Sequence, residues 1–268
     1  MARKSRLARQ RQRSNLMLGS FAVLVVVAVA IGSVWWWGQK KSGLDAKTLC
    51  PTTGPIGHHV LLIDKTDPLN LAQKAAFDLL VKNLVTRDTP RGYLLSIFVL
   101  GEDFKAQTTP LVELCNPGDG KGHDELTENI KQLNRQYQNG FIKPIASQTT
   151  QLLSATSAQE SPILEMLQMV SLNSFQSHQV NGPKTLIVLT DLLQNSKQLN
   201  MYKGIPNFAD FYVTSYAQRT KIQFDGVDVK VHLLQNSPAL QKQNLLDFWQ
   251  QYFQKAGAQS VEFEPLPG

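Results

Sequence analysis

The sequence predicts a doubly wound α/β fold with a mostly parallel sheet. Short aliphatic runs alternate with stretches of helical periodicity over about 210 residues of the chain. The first run, Val60–Ile63, is apolar at every position and ends at Asp64, and a later run ends at Asp191. Because the carboxyl ends of parallel strands share the sheet edge at which ligands bind, we expect both aspartates to lie there.

The apolar pattern assigns the other elements in chain order. Buried strands are predicted at Tyr93–Leu100, Leu111–Leu114, Thr185–Thr190, Val227–Leu234 and Val261–Phe263. Helices are predicted at Leu69–Val85, Asp124–Tyr137, Pro162–Leu172, Asn207–Arg219 and Pro238–Ala256. Ser161 is expected to cap the third of these helices, with Pro162 at its first position.

An uncharged run of 22 residues, Leu16–Trp37, precedes this region. At about 1.5 Å per residue it is long enough to cross a hydrocarbon core of about 30 Å. A cleavable signal peptide has a shorter apolar region that ends in small residues, whereas this run ends in three tryptophans suited to a membrane interface. The sequence therefore predicts a basic tail at 1–15, an uncleaved signal anchor at 16–37, a tether at 38–55 and a domain at 56–268.

The positive charge of the chain is concentrated in the tail. Six of the 27 Lys and Arg lie within residues 3–13, and the other 21 balance 21 Asp and Glu. The globular part is thus neutral, which argues against binding of nucleic acid. The basic tail places the N-terminus in the cytoplasm and the domain on the far side of the membrane. We expect a single-pass protein of a bacterial inner membrane with a periplasmic domain.

Three short sequence motifs are relevant to this edge of the sheet. They are Asp64-Lys65-Thr66-Asp67-Pro68, Ser161-Pro162-Ile163-Leu164-Glu165-Met166-Leu167 and Thr190-Asp191-Leu192. Their succession resembles that of a von Willebrand factor A-type domain, a Rossmann-like three-layer fold, over about residues 56–265. That family has Asp-x-Ser-x-Ser after the first strand, a Thr or Ser in a middle loop and Thr-Asp-Gly or Ser-Asp-Gly after a later strand.

The resemblance implies a metal-ion-dependent adhesion site, with magnesium as its ion. The residues that match it are Asp64, Thr66, Ser161 and Asp191. Two positions depart from the pattern, since Pro68 replaces the second hydroxyl and Leu192 the usual glycine. One or two carboxylates with hydroxyls and waters suit Mg²⁺. The alternative is that Asp64 caps the following helix and that Asp191 accepts hydrogen bonds from loop amides.

The function that this resemblance implies is protein binding without catalysis, in an assembly associated with the cell envelope. An enzyme is the alternative, because Asp64 followed by Thr66 is also similar to the nucleophile motif of Mg²⁺-dependent phosphoryl-transfer enzymes of the haloacid-dehalogenase type. Against it, position 66 is Thr and not a second Asp, and no later strand ends in Gly-Asp-x-x-x-Asp.

Cys50 and Cys115 are the two cysteines of the chain. In the topology that the resemblance implies, the third strand is antiparallel, so Cys115 descends to the edge at which the first strand begins. Cys50 precedes that strand by a few residues and can reach the same edge. We therefore expect a disulfide between them, as suits a compartment outside the cytoplasm.

Overall fold

The computed structural model describes residues 23–33, 43–101, 108–120, 130–150, 152, 158–178 and 180–266. The chain divides into two compact units, Met1–Gly43 and Leu44–Gly268. In the first unit, residues 23–33 are helical and exposed. None of the helices within the described ranges is long and apolar enough to cross a membrane. The anchor at 16–37 stays a prediction, since residues 16–22 and 34–37 lie outside those ranges.

Six strands form one sheet in the second unit. They are β1 (Gly57–Asp64), β2 (Tyr93–Leu100), β3 (Val112–Cys115), β4 (Lys184–Thr190), β5 (Val227–Leu234) and β6 (Ser260–Leu266). Their order is β3-β2-β1-β4-β5-β6, and only β3 is antiparallel to its neighbour. The central strands β1, β2 and β4 are almost wholly buried, which explains their unbroken apolar runs. The mostly parallel α/β sheet predicted from the sequence is thus confirmed.

Helices cover both faces of this sheet. They are α1 (Leu71–Asn83), α2 (Ile130–Gln136), α3 (Lys143–Thr150), α4 (Ile163–Val170), α5 (Phe208–Tyr212), α6 (Ser215–Arg219) and α7 (Gln243–Lys255). Helices α1, α2 and α4 continue as π-helical segments, Leu84–Asp88, Tyr137–Ile142 and Ser171–Gln176, and Met201–Lys203 is a 3₁₀ turn. One core lies between the sheet and α1 with α3, and the other between the sheet and α4 to α7. The domain therefore has three layers.

Two predicted helices differ from those observed. The helix expected at Asn207–Arg219 is broken in two, because the Thr214 side chain accepts a hydrogen bond from the backbone N–H of Ala217 and starts α6 anew. The helix expected from Pro238 begins only at Gln243. Its aromatic residues lie in the core: Phe248, Trp249, Tyr252 and Phe253. Residues 124–129 of the helix predicted at Asp124–Tyr137 lie outside the described ranges.

Part of the predicted tether belongs to the folded domain. Leu49 is buried in the core beneath α1 and α3, and the backbone N–H of Cys115 donates to the carbonyl of Thr48 at 2.7 Å. Cys50 and Cys115 form the predicted disulfide, 65 residues apart in sequence. The compact unit consequently begins at Leu44, and its first residues are fixed to the edge of the sheet at which the parallel strands start.

Reducing the Cys50–Cys115 disulfide should lower the stability of the domain. The two cysteines are 65 residues apart, and a bond between them restricts the unfolded chain. On the chain-entropy model this stabilises the folded state by about 4 kcal/mol. We expect the melting temperature of the full chain to fall when reductant is added, while that of a Cys50→Ser, Cys115→Ser variant does not change. Intact mass should show no free thiol before reduction. Two alkylatable thiols in the unreduced, denatured chain would contradict the bond.

Candidate functional site

The carboxylate of Asp64 lies at the end of β1 and is buried, with 5% of the residue exposed. Its Oδ1 accepts hydrogen bonds from the backbone N–H of Thr66 at 3.0 Å and from the Thr66 hydroxyl at 2.6 Å. Its Oδ2 accepts from the hydroxyl of Thr190 at 2.8 Å and from that of Ser161 at 3.3 Å. Three separate segments of the chain therefore meet at one carboxylate.

Ser161 reaches Asp64 because a loop contact holds its backbone. Ser161 and Asn195 exchange two backbone hydrogen bonds, of 2.8 and 2.9 Å. The predicted N-cap role of Ser161 is wrong, since α4 begins at Ile163 without a side-chain cap and the hydroxyl of Ser161 donates to Asp64 instead. The backbone N–H of Leu164 in the first turn of α4 donates to the side chain of Gln194 at 2.9 Å.

Asp191 directly follows β4 and is also buried, with 2% exposed. Its Oδ1 accepts from the backbone N–H of Leu193 at 2.9 Å, which is the loop-amide contact expected for this residue. Its Oδ2 accepts from the hydroxyl of Tyr202 at 3.2 Å. The expectation that Asp64 caps the following helix is wrong. The side chain of Asn70 caps α1 instead, in a capping box with Gln73.

Leu192 explains why the resembled motif carries a glycine at this position. Its φ is +63°, in the left-handed region that favours glycine. The leucine is held there by complete burial in the core and by its carbonyl, which accepts from the indole N–H of Trp249 at 2.9 Å. The chain therefore keeps the turn after Asp191 with a different residue.

The pKa values of both aspartates are raised. Burial raises the pKa of Asp64, and the hydrogen bonds from Thr66 and Thr190 oppose that rise. Burial and the nearby charge of Asp64 raise the pKa of Asp191 to about 8. Asp191 therefore retains its proton at neutral pH.

The donor set matches the predicted magnesium site in kind but is incomplete. The structure places all four predicted residues, Asp64, Thr66, Ser161 and Asp191, at this edge, and Mg²⁺ prefers such oxygens. However, Pro68 supplies no side-chain oxygen, and every carboxylate oxygen of the pair already accepts a hydrogen bond from the protein. Among the described residues, no three His, Cys, Asp or Glu side chains are grouped so as to hold a metal ion.

Two residues of the site were not predicted from the sequence. The hydroxyl of Thr190 donates to Asp64 and accepts from the backbone N–H of Leu192, whereas the sequence motif indicates no role for it. A hydroxyl one residue before Asp191, at the end of a buried strand, is the sequence feature that could have indicated this role. Tyr202 lies on a long loop without periodicity, so nothing in the sequence indicated that its hydroxyl reaches Asp191.

No protein-family model matches the chain, and no curated protein matches it in sequence. Solved structures do match it, including the SpRpn10 VWA domain, at 10% identity over 79% of this chain and 89% of that one, with a TM-score of 0.39. An aerotolerance-related membrane protein from Bacteroides fragilis matches at 10% identity, 78% and 90% coverage and a TM-score of 0.36. The human COPII-coat protein Sec24c matches at 10% identity over 79% of this chain and 30% of its own, with a TM-score of 0.39.

The domain is von Willebrand factor A-like in fold. This class rests on the strand order with its antiparallel β3 and on the aspartates placed after β1 and β4. The resemblance stated from the sequence motifs is thus confirmed at the level of the fold. At 10% identity the matched structures say nothing of the ligands of this chain.

Replacing Asp191 with Asn should flatten the pH dependence of stability. The ordinary pKa of Asp191 is 3.8 and rises to about 8 in the folded chain, so the folded state binds the extra proton between these values. Stability therefore falls as pH rises through this window, by at most about 1.4 kcal/mol per pH unit. We expect thermal unfolding of Asp191→Asn to lack this slope, and the exposed control Asp247→Asn to retain it. A wild-type slope unchanged in Asp191→Asn would contradict the raised pKa.

Binding of Mg²⁺ should compete with the proton of the carboxylate pair. At about pH 6 the proton holds the pair, and millimolar Mg²⁺ should leave the melting temperature unchanged. At about pH 9 Asp191 is ionised, and an ion that offsets its charge should raise the melting temperature. Asp191→Ala should remove that rise. If Mg²⁺ has no effect even at about pH 9, the predicted metal site is wrong and protein donors alone hold the pair.

Proposed function

We propose that this chain is a membrane-anchored, non-catalytic module that binds another protein through its von Willebrand factor A-like domain. The proposal places the domain outside the cytoplasm, in the periplasm of a bacterium, within an assembly associated with the cell envelope. The anchor predicted at 16–37 is part of this proposal, and the disulfide between Cys50 and Cys115 supports it, because disulfides persist in oxidising compartments. We propose no nucleic-acid partner. Mg²⁺ is the ion that we propose for the carboxylate site, and the pH-dependent melting temperature tests it.

The observation that carries the proposal is the closed construction of the site. Asp64 and Asp191 are buried, and neighbouring hydroxyls and amides already satisfy their oxygens. A side chain arranged in this way shapes and stiffens the loops around it, but it does not offer a reactive atom to solvent. This arrangement suits a binding surface that needs fixed loops.

Exposed apolar side chains lie on the segments that follow β1 and β4. Leu71 begins α1 after the β1 loop and is 86% exposed, and Val213 ends α5 in the segment after β4 and is 78% exposed. Tyr202, which contacts Asp191, is 40% exposed. Tyrosine is enriched at protein interfaces, and exposed apolar side chains beside it add area that a partner can bury.

The geometry gives less support to the alternative, a phosphoryl-transfer enzyme with Asp64 as nucleophile. Asp64 is buried, with 5% of the residue exposed, so its carboxylate is not open to an incoming substrate. Both of its oxygens also accept hydrogen bonds from Thr66, Thr190 and Ser161. A substrate phosphoryl group would have to displace these contacts before it met the carboxylate.

Site-specific photo-crosslinking in cells of the source organism tests the proposal. A photoreactive amino acid at Leu71 or Val213 should yield a discrete protein adduct, because both side chains project from the proposed surface. The matched control is Ile56, which is 56% exposed but precedes β1 at the opposite edge of the sheet. A reporter active only outside the cytoplasm, fused after Gly268, checks the orientation in the same strain.

The pattern of adducts decides the outcome. Adducts at Leu71 or Val213, with none at Ile56, would support a partner bound at the carboxyl edge. Adducts from Ile56 alone would place the partner elsewhere on the domain. An inactive external reporter, with an active cytoplasmic one at the same position, would contradict the proposed compartment.

A further inference from the structure

A cleft of about 270 Å³ opens beside the site, between the loop after β4 and the α5–α6 pair. Its lining consists of Gln198, Leu199, Pro206, Asp210, Phe211, Thr214 and Tyr216. Phe211 and Tyr216 are almost fully buried and line it with ring surface. The cleft is thus largely apolar, with one charged side chain.

The hydrogen bonds of the site fix the walls of this cleft. The hydroxyl of Tyr216 donates to Glu165 on α4 at 2.8 Å, and Gln194 donates to that same hydroxyl at 3.1 Å. On the opposite wall, the backbone N–H of Ser196 donates to the carbonyl of Leu199 at 2.9 Å. Because these contacts join the cleft to the loop that follows Asp191, its shape is defined before any partner arrives.

Asp210 determines which side chain suits the cleft. It lies in the first turn of α5 and is exposed, and within the described ranges no basic group lies at ion-pair distance from its carboxylate. An apolar side chain in the cleft would cover this charge without pairing it, at a cost in desolvation. A lysine or arginine lays its methylene stem on apolar surface and places its cation on a carboxylate.

We propose that this cleft receives one lysine or arginine side chain of the protein partner. The aliphatic stem lies against Phe211, Tyr216 and Leu199, and the cation pairs with Asp210 at the rim. Lys197 and Lys203 lie on the same loop but do not line the cleft. This inference rests on the proposed function, since it names the chemistry of the partner at the same edge.

Selection of peptides against the purified full chain tests the inference. The probe is a phage-displayed library of random heptapeptides, with the strongest binder then synthesised and its affinity measured by fluorescence anisotropy. We expect this peptide to contain an essential lysine or arginine. Replacing that residue with norleucine, which keeps an aliphatic stem but has no charge, should weaken binding by about fivefold, because the charge pair is lost.

A double-mutant cycle then assigns the charge pair to Asp210. In the Asp210→Asn chain, the change to norleucine should have a smaller effect than in the wild type, whereas Asp247→Asn, at an exposed acid on α7, should behave like the wild type. Gln198→Trp keeps every charge but fills the mouth of the cleft, so it should abolish binding. Gln259→Trp, at an exposed glutamine before β6, should not. Circular dichroism confirms that each variant is folded.

Three results would overturn the inference. They are selection of no binder, an undiminished norleucine effect in Asp210→Asn, and binders that lack a basic residue but are blocked by Gln198→Trp. The last result would leave the proposed function intact while changing the chemistry of the partner. If photoreactive residues at Leu71 and Val213 form no adduct, by contrast, that result would count against the proposed function itself.

Discussion

The rest of the carboxyl edge depends on the buried carboxylate of Asp64. Hydroxyls from the β1 loop, from the residue two before α4 and from the end of β4 all donate to it. Removing such an acceptor leaves buried hydroxyls without a partner, and each of these costs about 1–3 kcal/mol. The same charge acts at a distance, because it helps to raise the pKa of Asp191. One carboxylate therefore joins three segments of the chain and contributes to the raised pKa of Asp191.

The site keeps the geometry of the resembled motif with altered chemistry at two positions. Leu192 adopts the left-handed turn that glycine would adopt freely, and its burial and the Trp249 hydrogen bond offset the strain. Pro68 is exposed and brings no oxygen to the site, while Thr190 and Tyr202 donate to the two carboxylates. Each carboxylate oxygen of Asp64 and Asp191 thus accepts a hydrogen bond from the protein.

Local pattern was sufficient to predict most of the sheet. The predicted bounds of β2 and β5 match the structure, since both strands are unbroken periodic runs between turns. The positions of Asp64 and Asp191 follow from the same logic, because a polar residue that ends a parallel strand has only one edge to occupy. Ser161 shows the limit of that logic. Its sequence neighbourhood indicates a helix cap, but its hydroxyl donates a hydrogen bond to the carboxylate of Asp64, which is distant in sequence. Tyr202 and the buried Leu49 depend on tertiary contacts that leave no periodic signal.

A double-mutant cycle between Asp64 and Thr190 is the most direct test of the central claim. Unfolding free energies of Asp64→Ala, Thr190→Val and the double variant isolate the energy of their 2.8 Å hydrogen bond from the other contacts of each residue. The account predicts that Thr190→Val destabilises the wild type by about 1.5–3 kcal/mol more than it destabilises Asp64→Ala, as expected for a buried hydrogen bond to a charged group. Strictly additive effects would show that Asp64 does not organise this edge.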